Sequence, residues 1–163
     1  MEPIIITFTQ MSVGRVEFDA EVMTADRLTL DTITFKLDTG SDFTTLSCED
    51  LELLGFDQDF LKSCATYGDP ASSAGGELRL QYIDNVSIKL GNREIQGCRI
   101  FFALGTGLRS LFGSDILKYF NYSVDFDIDA TGNIGELQLC PATRIPQLSK
   151  GETQIQIYAI DRI

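Results

Sequence analysis

Histidine is absent from the chain, and that absence removes a Ser-His-Asp or Cys-His nucleophile system and any histidine-based metal site. Cysteine is scarce and scattered: Cys48, Cys64, Cys98 and Cys140 form no C-x-x-C pair of the kind that zinc and redox centres use. They read as buried free thiols of a reducing compartment, the alternative being a disulfide whose pairing the spacing leaves open. Positive charge is short as well. Lys and Arg number 13 against 24 Asp and Glu, a formal charge of −11, which repels nucleic acid and anionic membrane rather than attracting them. Apolar runs never approach membrane-spanning length, and Met1-Glu-Pro-Ile-Ile-Ile-Thr lacks both the basic start and the apolar stretch of a signal peptide. The expectation is a soluble, cytoplasmic protein with no nucleic-acid or membrane partner.

What is present is ordinary globular material: 163 residues, 44% hydrophobic and 23% charged, suit one domain. A domain of that size buries about 70% of its unfolded surface, so its core needs neither metal nor disulfide. Period-two alternation dominates and predicts strands. Pro3 to Phe8 is a β-branched run suited to an edge. Val13 to Thr24 places Val16, Phe18, Ala20 and Val22 on one face, and Leu28 to Leu37 follows a Thr24-Ala-Asp-Arg turn. Val86 to Leu90 and Ile95 to Phe102 form a hairpin about Gly91-Asn92. Ile134 to Leu139 is another strand, and a linker from Pro141 to Gly151 leads to a terminal one from Thr153 to Ile160. Ser47 as N-cap, acids in the first turn and Gly55 as a stop predict one short helix from Cys48. Tyr122 to Asp129 alternates too, leaving Asp125, Asp127 and Asp129 as the polar face of a strand. A calcium loop is the competing reading, and it fails at Ala130, where an EF-hand counted from Asp125 needs glycine. Leu104 to Gly113 has glycines enough to cradle a phosphate but lacks the lysine and the G-x-x-x-x-G-K-[ST] spacing.

One stretch stands apart. Ile33, Phe35 and Leu37 alternate into Asp38-Thr39-Gly40-Ser41, which sets a carboxylate at the end of a strand. In that turn Gly40 is expected to take a backbone conformation denied to residues with a Cβ, and the two hydroxyls have backbone or carboxylate within reach. Further on, Leu111-Phe112-Gly113-Ser114-Asp115-Ile116-Leu117 joins two apolar residues and a glycine to the start of a helix whose core side carries Ile116, Leu117 and Phe120. With these two motifs in this order, the chain from about Val16 to Pro141 resembles the retropepsin-like aspartic proteases.

That resemblance implies a mainly β fold, a small closed β-barrel-like domain over 1–163 with one or two short helices. Asp38 is then the catalytic residue. Thr39 bonds across a two-fold axis, Gly40 lets the backbone approach, and Ser41 orients the carboxylate. Leu111, Phe112 and Gly113 form a strand behind the Asp38 loop, with Ser114 capping a helix from about Asp115 to Phe120. The turn-rich stretch from Thr66 to Gly76, otherwise a mobile surface loop, becomes a flap closing over substrate, its candidate residues Tyr67, Gly68, Gly75 and Gly76. No cofactor or metal is implied. Asp-Thr-Gly occurs once, whereas the chemistry needs two carboxylates sharing one proton, so the resemblance implies a homodimer acting as an endopeptidase on a polypeptide. The terminal strands, about 3–8 and 153–160, are exposed edges that pair either across that dimer interface or within one chain. The rival reading is a catalytically silent dimerisation or peptide-binding module of the same fold, since a groove beneath a flap takes a peptide by strand addition whether or not it cuts it.

Overall fold

Alternation becomes strand in nearly every place where the sequence carries it. The computed structural model describes residues 2–9, 15–24, 27–73, 76–144 and 146–160. The start of the Val13 to Thr24 run, the middle of the Thr24-Ala-Asp-Arg turn and Gly75 lie outside the described residues. In chain order the elements are β1 (Ile4–Thr9), β2 (Glu17–Thr24), β3 (Arg27–Leu37), α1 (Cys48–Leu53), α2 (Gln58–Ser63), β4 (Ala71–Ser73) and β5 (Gly76–Leu78). Then come β6 (Gln81–Leu90), β7 (Arg93–Phe102), β8 (Leu111–Phe112), α3 (Ser114–Leu117), β9 (Phe120–Asp125), β10 (Ile134–Pro141) and β11 (Gln156–Ala159).

The strands form a curled six-stranded sheet in the order β11-β7-β6-β2-β3-β8, a three-stranded sheet β1-β10-β9, and the small hairpin β4-β5. The mainly β fold expected from the sequence is the one observed. Val16, Phe18, Ala20 and Val22 are all buried, as their period-two spacing demands, together with Ile33 and Phe35 on the neighbouring strand. Phe112 closes this layer: its ring meets Phe18 at 5.3 Å and Phe35 at 5.8 Å, both edge-on. Edge-to-face rings of this kind add specificity to a large area of apolar burial, and they pin β8 against β3 in parallel register, Lys36 beside Leu111 and Leu37 beside Phe112.

Both terminal strands pair within the chain. β1 runs antiparallel to β10 from Ile4↔Leu139 to Thr9↔Ile134, and β11 runs antiparallel to β7 from Gln156↔Gln96 to Ala159↔Arg93.

Three local expectations are corrected. α1 forms as the sequence predicts, its Ser47 hydroxyl accepting from the Asp50 N–H at 3.1 Å and Gly55 at φ +83° ending it. A further helix, α2, follows where no helix is expected; Asp57 caps it by accepting from the Phe60 N–H at 2.7 Å. α3 starts at Ser114 and stops at Leu117, and its N-cap is Gly113, with no side-chain cap. Ser114 is therefore the first residue of the helix, and Phe120 belongs to β9, paired with Pro141. β9 in turn ends at Asp125. Asp125, at the end of the ladder, and the acids beyond it hold a loop: Asp125 accepts from the Asp127 N–H at 3.0 Å, Asp127 from the Gly132 N–H at 2.9 Å, and Asp129 from the Thr131 N–H at 3.1 Å. Such local carboxylate-to-backbone bonds compete with strand pairing and win here. Among the described residues no group of three or more acidic or Cys side chains is placed to hold a metal, and no helix is long and apolar enough to cross a membrane.

Candidate active site

β3 delivers Asp38 to a turn that rests on β8. The Asp38 N–H donates to the Phe112 carbonyl at 3.1 Å, and the turn closes with the Ser41 N–H on the Asp38 carbonyl at 3.2 Å. The carboxylate itself is half-buried and accepts from the Gly40 N–H at 3.1 Å through Oδ1. Thr39 is exposed at the tip of the turn. Ser41 donates its hydroxyl to the Phe43 carbonyl at 2.7 Å, so in this structure that hydroxyl stiffens the descending limb of the loop.

The two motifs meet directly. Ser114 N–H donates to the Ser41 carbonyl at 2.8 Å, and Thr45 and Leu111 exchange backbone bonds of 2.9 and 3.1 Å. Gly113 lies hard against the loop: a Cβ there would stand 2.5 Å from the Phe43 carbonyl oxygen and 2.9 Å from that of Ser41. Gly113 is thus glycine because no side chain fits. Gly40 departs from expectation in the opposite sense. It holds no left-handed conformation, and a Cβ there would stand 3.4 Å from Asp38 Oδ1; what glycine keeps clear is the space beside the carboxylate.

Behind the turn sits a carboxylate that pattern reading passed over. Asp115 accepts from the Thr44 N–H at 2.9 Å, from the Thr44 hydroxyl at 2.6 Å and from the Ile116 N–H at 2.9 Å. Thr44 Oγ1 in turn accepts from the Gly113 N–H at 3.1 Å. The residue keeps some surface, yet its carboxyl group is enclosed, and burial pushes its pKa up to about 6 against the pull of the Thr44 and Ile116 hydrogen bonds, with Glu152 adding to the push. Cys98, fully buried, has its thiol pushed well up by burial and then by Asp115.

The turn-rich stretch from Thr66 to Gly76 leads into the hairpin β4–β5, which runs on to Leu78. Ala71, Ser72 and Ser73 pair with Leu78, Glu77 and Gly76. Its base continues through Tyr67 N–H to the Leu80 carbonyl at 2.8 Å and Tyr82 N–H to the Ala65 carbonyl at 3.0 Å. Gly76 takes φ +111°, a backbone conformation that only glycine adopts readily. Gly68 is exposed, and its carbonyl accepts from Arg79 at 3.1 Å. Tyr67 belongs to an aromatic cluster: Phe43 lies 5.2 Å from it and 4.2 Å from Phe101. Phe43, five residues past Asp38, therefore ties the loop to the base of the hairpin. Phe43, Thr44 and Asp115 are site residues that the sequence reading missed; the Thr44-to-Asp115 spacing spans two motifs and has no period to reveal it.

A family model described as aspartyl protease matches residues 21–116, more than half of the chain, and takes in both the Asp38 turn and Gly113. The chain belongs to the aspartyl protease family. Its fold is similar to the crystal structure of a retropepsin-like aspartic protease from Rickettsia conorii, with TM-score 0.57 and 26% identity, over 86% of this chain and 95% of that one. No curated protein matches the chain.

Proposed function

We propose that the protein is an aspartic endopeptidase whose reaction centre is completed by two copies of the chain, each contributing Asp38. The observation that carries this reading is that a single Asp-Thr-Gly turn, with one half-buried carboxylate at the end of β3, is braced from behind by β8 and Gly113. Two carboxylates held a few ångströms apart do not both ionise, so one proton is shared between them. The ionised member takes a proton from water while the protonated one polarises the scissile carbonyl, and water adds to the carbon; the tetrahedral adduct then collapses to a carboxylic acid as the C–N bond breaks and the leaving amine takes a proton from the carboxyl pair. In that assembly Thr39, exposed at the tip, bonds across the axis, and Gly40 leaves room for the water beside Oδ1. The β4–β5 hairpin is the flap, with Tyr67, Gly68 and Gly76 along it, closing over an extended polypeptide. The same proposal places the protein in a reducing, cytoplasmic setting, in keeping with four unbridged cysteines.

Purified protein is expected to cleave an unstructured polypeptide, to be blocked by a statine-type transition-state analogue, and to lose turnover in Asp38→Asn while its thermal unfolding stays unchanged. Cleavage that survives Asp38→Asn rejects the mechanism. Peptide affinity without any wild-type cleavage gives the silent module instead.

A further inference from the structure

We propose that Asp115 is a positioning residue for the Asp38 turn, acting through the Thr44 hydroxyl and the Gly113 N–H. The inference rests on the peptidase reading for its consequence and on a distinct set of contacts for its geometry. Asp38 is anchored at only a few points, and the carbonyls that receive Ser41 Oγ–H and Ser114 N–H belong to Phe43 and Ser41. Both lie in the limb that Thr44 terminates. That limb has no regular ladder of its own before the isolated bridge at Thr45. Thr44 is held from two sides: its carbonyl accepts from the Phe101 N–H at 3.0 Å, and Asp115 takes both of its donors, N–H and Oγ1–H, on its two oxygens.

The arrangement is directional. The Gly113 N–H donates to Thr44 Oγ1, and Thr44 Oγ1–H donates to Asp115, so one hydroxyl serves as acceptor on one side and donor on the other. Thr44 is 0% exposed and Gly113 is buried. Water is thus not at hand to replace a bond lost there, and an unmade bond in such a place costs its full desolvation. The ends of this chain are the strand that supports Asp38 from behind and the loop that leaves it in front. Loosening the middle lets the two slide relative to each other, which moves the carboxylate without touching it. Displacement of a reacting group by 1 Å costs about a hundredfold in rate.

Thr44→Val keeps the shape and removes the hydroxyl; Thr44→Ser keeps the hydroxyl. Asp115→Asn keeps one accepting oxygen and puts an NH2 donor where one of the two Thr44 donors was received. Thr44→Val and Asp115→Asn are each expected to lower kcat about tenfold or more with KM within about twofold, and Thr44→Ser to recover most of the loss. The double variant is expected to lose no more than the worse single, because both break one network. Additive losses, a change in KM alone, or a Thr44→Ser no better than Thr44→Val overturns the proposal. So does wild-type turnover in a folded Thr44→Val. Should the wild-type protein cleave nothing, the peptidase reading fails, and the positioning claim is decided by 13C titration of the Asp38 carboxyl: a curve moved by Thr44→Val supports it, and an unmoved curve rejects it.

Discussion

Two glycines near Asp38 do opposite work, and substitution separates them. At Gly113 an added methyl meets backbone oxygens of Phe43 and Ser41 at 2.5 and 2.9 Å, and backbone cannot swing aside as a flexible side chain can. Gly113→Ala is therefore expected to cost about 1–3 kcal/mol or more, the range of overpacked interiors, seen as a lower unfolding midpoint in denaturant. At Gly40 the methyl reaches Asp38 Oδ1 at 3.4 Å, an ordinary contact. Gly40→Ala is expected to unfold within about 0.5 kcal/mol of wild type while turnover collapses, because the methyl takes the place of water beside the carboxylate. Equal stability losses in the two variants would refute this assignment. Asp115 makes a prediction about pH. Its carboxyl holds a proton in the folded state up to about pH 6, whereas an unfolded Asp releases it near an ordinary value of about 3.9. The stability that this group contributes is fully present below about pH 4 and is lost as pH rises through about 6, a change of about 3 kcal/mol. The groups that bear on it are Thr44 and the Ile116 N–H, which hydrogen-bond its oxygens, and Glu152, whose charge is met by Lys118; Cys98 from β7, its own thiol pushed up in part by Asp115, faces it as a neutral group. Subtracting the pH–stability curve of Asp115→Asn from that of wild type isolates the effect, and a flat difference between pH 4 and 7 contradicts it.

The β4–β5 hairpin is joined to the site by rings and to the C-terminal segment by a strap. Phe43 packs on Phe101 and Tyr67. Tyr67 Oη donates to the Lys150 carbonyl at 3.2 Å, and Lys150 Nζ lies 2.8 Å from Asp69. The exposed Lys150–Asp69 pair contributes little energy; the rings carry the link. Phe43→Ala is expected to speed amide exchange in β4 and β5 and to raise KM more than it lowers kcat. Hydrogen exchange unchanged at the hairpin would dissociate the two elements. Which elements the sequence disclosed follows from their physics. β2 and β3 announce themselves because one face is core and the other is wet, so apolar and polar residues alternate. β9 breaks off at Asp125 although alternation continues, since Asp127 and Asp129 turn to local backbone donors. α2 escaped because Asp57 caps it within a stretch whose one fully buried residue is Leu61, too little to set a helical period. Asp38 and Gly113 were legible as motifs, whereas the bond that joins their surroundings runs from Thr44 to Asp115, 71 residues apart, and distance of that kind leaves no trace in spacing.

At the scale of the whole molecule, the terminal strands β1 and β11 each pair on one side within the chain, with β10 and β7, and among the described residues each remains the outermost strand of its sheet. Association then has to work against charge. Each chain carries −11, and two such chains repel over a Debye length of about 8–10 Å at physiological salt. Moderate salt is expected to strengthen self-association, measured as the shift toward roughly twice 18.1 kDa in sedimentation. The decisive test uses mixing. If every reaction centre takes one Asp38 from each copy, a mixed pair of wild type and Asp38→Asn is dead. Adding an equal amount of Asp38→Asn to a fixed quantity of wild type, with time for subunits to exchange, leaves half of the wild-type chains in mixed pairs and cuts activity to about one half. A ninefold excess cuts it to about one tenth, since a wild-type chain then meets another only that often. A chain that works alone keeps all its activity at every ratio, and that result removes the shared centre while leaving the fold and the family untouched.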